Sequence, residues 1–143
     1  MTPAPWESEA NLAAFIEGFE QGTYPKEKWT HQAHVVMAAH YLTLHPVPEA
    51  TRIIRARIPA YNVAQGGQNT DDSGYHETLT VFWISVVAGF LASLPDGLPR
   101  LQTIRASAER FGNEARYHKR FYEHNVIGDL EARHAWVPPP SWR

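Results

Sequence analysis

The sequence predicts an all-α protein: a single-domain helical bundle of five to six helices over residues 1–143, with a core over about 8–126 and an extended C-terminal tail over about 127–143. Three observations predict it. Apolar residues recur at helical spacing, as Leu12, Phe15, Ile16 and Phe19 do. Strong stop signals (Gly22, Pro46, the Pro95-Asp96-Gly97 run and Gly112) cut the chain into helix-length pieces. Alternating strand patterns are weak throughout. With 143 residues, 43% of them hydrophobic, the chain is long enough for one core that hides about 70% of its unfolded surface.

The first helix is expected over Asn11 to Gln21, ended by Gly22. Thr30 is a good N-cap for the second, with Trp29 just outside it in the position of a hydrophobic staple. That helix runs to about Leu44, and Pro46 ends it. Pro48 suits the first turn of a third helix, which shows Ala50, Ile53, Ile54, Ile58 and Tyr61 on one face. Pro59 predicts a kink or an early end there. A polar loop, Gln65 to Ser73, precedes a fourth helix from about Gly74 to Leu94, capped by Asp72 or Ser73. Its apolar positions nearly encircle it, which marks it as central. A fifth helix spans Pro99 to Phe111, and a sixth about Glu114 to Asn125. The tail carries Pro138-Pro139-Pro140, with Trp136 and Trp142 to lay it on the body.

Composition removes several classes of function. There are no cysteines, hence no disulfides, thiolate metal centres or thiol catalysis. The net charge of −2 disfavours a nucleic-acid partner, and the Arg100–Arg120 stretch, with six basic residues against Glu109 and Glu114, reads as solvated helix faces. The start, Met1-Thr2-Pro3-Ala4-Pro5-Trp6-Glu7, has neither the basic nor the apolar segment of a secretory leader. The most apolar stretch, Val81 to Ala92, would rise about 18 Å as a helix, too short for a bilayer core of about 30 Å. A cytoplasmic protein with no membrane partner is the expectation. What stands out is 8 histidines and 5 Trp, 6 Tyr and 6 Phe.

Short connections make neighbouring helices antiparallel, so the second and fourth helices run the same way. That brings the start of helix two (Trp29, Thr30, His31, His34), the start of helix four (His76, Glu77, Thr78) and the end of helix three (Tyr61, Asn62) to one end of the bundle. His31 and His34, at i and i+3, lean to one side, and His76 would complete a three-nitrogen metal site with an open position. A divalent ion is implied, with zinc, iron, nickel and copper all compatible with imidazole. Glu77 is cast as general base or as a partner orienting an imidazole, and Tyr61 as a donor to a bound oxygen. Trp29, Asn62, Thr78 and His118 are expected to contact substrate. Helix N-termini carry partial positive charge, which favours neutral imidazole but repels a cation, and would suit an anionic substrate if no carboxylate approaches.

The segments Trp29-Thr30-His31-Gln32-Ala33-His34, Tyr61-Asn62 and Gly74-Tyr75-His76-Glu77-Thr78-Leu79-Thr80 resemble a family of small bacterial proteins with W-T-H-x-x-H and G-Y-H-E-T motifs. The likeness runs from the Phe15–Phe19 helix to Trp136-Val137. It implies a small helical domain in which His31, His34 and His76 act together, and it brings no established reaction. Where the pattern ends Trp-Val-x-Pro-Asp, this chain has Trp136-Val137-Pro138-Pro139-Pro140.

Three functions therefore compete. The first is a metal-dependent enzyme acting on a small molecule through the three histidines. The second is a metal-free pocket for a small organic molecule, lined by Trp29, Tyr61, Phe82 and Trp83, with His76 as a candidate base. The third is a homodimeric interaction module joined through the apolar helix around Val81 to Phe90.

Overall fold

The computed structural model describes residues 4–143; the first three positions of the chain, on which part of the leader argument rests, lie outside it. Six α-helices and short 3-10 turns form an all-α bundle, and there is no strand among the described residues. Helix α1 (Glu9–Gln21) is closed at both ends. Ser8 accepts the Asn11 N–H at 3.0 Å, and Gly22 takes the left-handed conformation at φ 76°. Its face of Leu12, Phe15, Ile16 and Phe19 is buried, as the spacing predicts.

Helix α2 (His31–Leu44) starts at Thr30, whose Oγ1 accepts the Ala33 N–H. The Trp29 staple forms as well, with the indole 4.0 Å from the His34 ring at the fourth helical position. α2 buries seven residues and packs against α3, α4 and α5. The fourth helix is central as expected, touching α2, α3, α5 and α6, and α2 shares that place. Ala33, Ala38 and Ala39 let three neighbours close in around it. On α4, by contrast, Ser85, Gly89 and Ala92 stay exposed.

Helix α3 (Val47–Ala64) does not end at Pro59 but continues to Ala64. Proline removes the bond to the carbonyl four residues back, and that residue, Arg55, sits on the solvent side, where water replaces the lost partner. Helix α4 (Glu77–Ser93) begins later than Gly74, and its cap is neither Asp72 nor Ser73. Gly74 takes φ 81°, and a Cβ there would run into the Gln68 carbonyl, so the loop turns at that point. His76 caps instead, its Nδ1 accepting the Leu79 N–H at 3.2 Å. Helix α5 (Arg100–Phe111) follows the expected boundaries.

The expected sixth helix over 114–125 does not form. A 3-10 turn, Tyr117–Arg120, and a second, Val126–Gly128, take its place, and the only later helix is α6 (Leu130–His134), inside the stretch expected to be tail. The turns fold His118 and Tyr122 inward and seat Tyr122 with Phe82, Val126 and Ala132 in a second apolar cluster beside the main core. Trp142 stacks on Phe82 at 5.3 Å, so the final residues do lie on the body. Among the described residues no helix is long and apolar enough to cross a membrane.

Gly22 joins α1 to the end of α3, because a Cβ at that position would collide with Ala64. Gly22→Ala combines that clash with an unfavourable φ, and we expect it to lower unfolding free energy by about 1–3 kcal/mol. Urea titration checks this, and an unchanged midpoint would contradict the packing described.

Candidate functional site: a cavity walled by imidazoles and indoles

Three helical stripes enclose one cavity of about 460 Å³. α2 supplies His31, His34, Val35 and Ala38, and the start of α4 supplies His76, Leu79, Thr80 and Trp83. Both sets follow the spacing i, i+3, i+4, i+7 that puts side chains on one helix face. α3 adds Ile54, Ile58 and Asn62, two turns of a single row. Gly74, Tyr75, Ala115, His118 and Ile127 close the remaining sides, and Trp29 stands at the mouth of α2. The convergence expected from antiparallel connections is therefore present. The starts of α2 and α4 and the end of α3 share one volume.

Each imidazole has a defined role. His31 Nε2 lies 3.0 Å from the Phe111 carbonyl oxygen, His34 Nδ1 2.7 Å from that of Thr30, and His76 Nε2 2.9 Å from that of Val126. A carbonyl oxygen only accepts, so the ring nitrogen in each pair carries the proton. His76 also accepts the Leu79 N–H at Nδ1, so both of its nitrogens are used. Burial pushes all three rings below the ordinary imidazole value, opposed by these carbonyl bonds. His34 falls to about 4, lowered further by neighbouring His31. His118 is also lowered, first by burial. It is 5% exposed, and its Nδ1 is buried with no hydrogen-bond partner.

The structure sorts the sequence candidates into two groups. His31, His34, His76, His118, Trp29 and Asn62 line the cavity. Tyr61, Glu77 and Thr78 do not. Tyr61 is buried against Trp29 and donates its hydroxyl proton to the Tyr24 carbonyl at 2.6 Å. Glu77 receives Arg55 Nε at 2.8 Å and the Tyr75 hydroxyl at 2.6 Å, which ties α3 to α4 and leaves the carboxylate partnered as a structural group. Thr78 is fully buried. It donates to the Ala135 carbonyl at 2.8 Å and accepts the Val137 N–H at 3.0 Å, clamping the tail rather than a substrate. Of the aromatic residues expected in a pocket, Trp29 and Trp83 line it, while Phe82 belongs to the second apolar cluster.

Among the described residues no group of three or more His, Asp or Glu side chains is disposed to hold a metal ion. The physical reason at His76 is visible: a ligating imidazole needs a free lone pair, and this ring has spent its lone pair on a helix cap. Asp71, in the loop before α4, pairs with His134 at 2.9 Å on the outside of the loop.

Several participants were not anticipated. Leu79 and Thr80 lie on the stripe that begins at His76, as does the expected Trp83, and extending the helical spacing forward from His76 would have found them; Tyr75 precedes that stripe and carries no such signal. Arg133 carries no comparable signal. It is 7% exposed, and its guanidinium donates to the carbonyls of Gly74, Tyr75 and Ile127 at 3.2–3.4 Å. All three of those residues line the cavity, so Arg133 holds one wall in place from behind. In comparisons with protein-family models, curated proteins and solved structures, nothing matches this chain.

The depressed imidazoles make stability depend on pH. Between about pH 6.5 and pH 4 the unfolded chain binds protons that folded His34 refuses, so stability rises with pH across that window and is lost on acidification. His34 accounts for up to about 3 kcal/mol of this. His40, also lowered to about 4 by burial and then by Arg100, adds to it from the other end of α2. Urea midpoints measured from pH 7 to pH 4 should fall steadily, and His34→Gln should flatten the slope.

Proposed function

We propose that this chain binds a small organic molecule in the cavity between the starts of α2 and α4 and the end of α3. The observation that carries the reading is the cavity itself, about 460 Å³ of largely apolar wall with the His31 and His34 rings set into it. That volume is within the range typical of small-molecule sites, about 300–1,000 Å³.

The neutral imidazoles suit this role. His31 and His34 keep one lone pair each, and either is a base for a ligand proton if the ligand is turned over. We favour this over a three-histidine metal centre because His76 is committed at both nitrogens. A centre using His31, His34 and His76 would have to break the cap of α4 to free the Nδ1 lone pair of His76. Zinc, iron, nickel or copper would then be taken up only with partial loss of helix α4.

Ala115 sits exposed on the rim, so a larger side chain there blocks the cavity without entering the core. Calorimetric titration with 2-naphthol and 2-methoxynaphthalene should show binding to the wild-type protein. Ala115→Phe should weaken it at least tenfold while leaving the melting temperature within a few degrees. Absence of binding by both probes, or equal binding to the blocked variant, would overturn the reading. A metal titration serves as the counter-experiment, since submicromolar zinc uptake abolished by His76→Ala would restore the metal centre.

A further inference from the structure

We propose that the ligand of this cavity is an uncharged, flat aromatic molecule that donates hydrogen bonds, of the phenol or N–H heterocycle class. The inference rests on the cavity being a ligand site and adds which chemistry it accepts.

The protons of the wall come first. His31 gives its Nε2 proton to Phe111 and His34 its Nδ1 proton to Thr30. The remaining nitrogen of each ring is therefore a bare lone pair, and no protein donor meets either one among the described residues. The hydroxyls have also spent their protons on the protein, Tyr75 on Glu77 and Thr80 on the His76 carbonyl. Asn62 uses one amide N–H on Asn69. Among the donors left on the wall are the indole N–H groups of Trp29 and Trp83, which stand beside the two bare imidazole lone pairs. A ligand that brings an O–H or N–H satisfies those lone pairs, and one that brings only acceptors does not.

Charge is excluded next. No cavity-lining residue is Asp, Glu, Lys or Arg, so an ionised ligand would be desolvated with no counter-charge on the wall. The field behind the wall opposes a cation in particular. The first turns of α2 and α4 begin here with their partial positive charge. The Arg133 guanidinium sits on the carbonyls of Gly74, Tyr75 and Ile127. The nearby Glu77 carboxylate is paired with Arg55. An anion would find the field agreeable, yet it brings no proton for the His31 and His34 lone pairs and meets no cationic side chain on the wall.

Shape follows from the indoles. Each imidazole that keeps a lone pair is flanked by a tryptophan, His34 by Trp29 at 4.0 Å and His31 by Trp83 at 4.6 Å between ring centres. Flat faces beside in-plane lone pairs match a planar ring with a donor at its edge.

The test uses four probes of one size on the intact chain at pH 7.5: 2-naphthol, 2-methoxynaphthalene, naphthalene-2-carboxylate and 2-naphthylmethylammonium, each titrated by calorimetry. 2-Naphthol should bind at least tenfold tighter than the other three, and His34→Phe should bring 2-naphthol and 2-methoxynaphthalene to within twofold. If 2-methoxynaphthalene or either ion binds as well as 2-naphthol and Ala115→Phe still blocks it, the donor class is wrong and the cavity reading survives. If none of the four binds, or if Ala115→Phe leaves binding intact, the cavity reading fails and takes this inference with it. His31→Phe provides the same comparison should the His34 variant fail to fold.

Discussion

Hydrogen bonds from imidazole N–H groups to main-chain carbonyls are the constraint on which this end of the molecule depends. Three rings make such a bond, to Phe111, Thr30 and Val126. Two of these bonds join segments far apart in the chain: α2 to the end of α5, and the cap of α4 to the turn at Val126. Each bond also selects a tautomer, because the partner has no proton to offer. The same contact therefore positions the wall and decides its hydrogen-bonding character. Protonating a ring would not break the bond, but it would place a charge in an apolar enclosure beside two helix N-termini, and burial already resists that.

The helix order explains why these rings meet. α2 and α4 start at the same end because α3 returns the chain between them, and α2 is lined with enough alanine to let α3, α4 and α5 all reach it. The cavity is the gap left where three stripes of spacing i, i+3, i+4 diverge near their ends. Two tryptophans and isoleucines from α3 fill its sides without filling its middle. His31, His34, Asn62 and Thr80 thus rest on long helices, which is what holding a ligand in one orientation requires, while Tyr75 and His118 come from the connecting turns.

Much of this was legible beforehand, and the failures have specific causes. Periodicity located α1, α3 and α5, each with a one-sided apolar stripe, while α2, buried on several sides, was located by its Thr30 cap and the Pro46 stop. The stretch after Gly112 misled because Tyr117, Phe121 and Tyr122 also fit a helical face, while tertiary contact with Phe82 and Trp142 favours tight turns there. Connectivity alone brought His31, His34, His76, Trp29 and Asn62 to one place. It could not tell that Glu77 would find Arg55, that Tyr61 would find the Tyr24 carbonyl, or that Thr78 would be taken by the tail. Those choices depend on side-chain direction and on partners 22 to 59 residues away. His76 shows the limit most clearly: its motif drew attention to chemistry, and its geometry shows a helix cap.

The grip of α6 on the loop before α4 has a consequence for motion. Arg133 holds the carbonyls of Gly74 and Tyr75, His134 holds Asp71, and Thr78 holds the backbone just beyond α6. Segments separated by some sixty positions are in this way fastened into one cooperative unit. Backbone amides of the 71–79 region and of 130–137 should then open together, as a single foldon, and become accessible to solvent exchange with a common free energy.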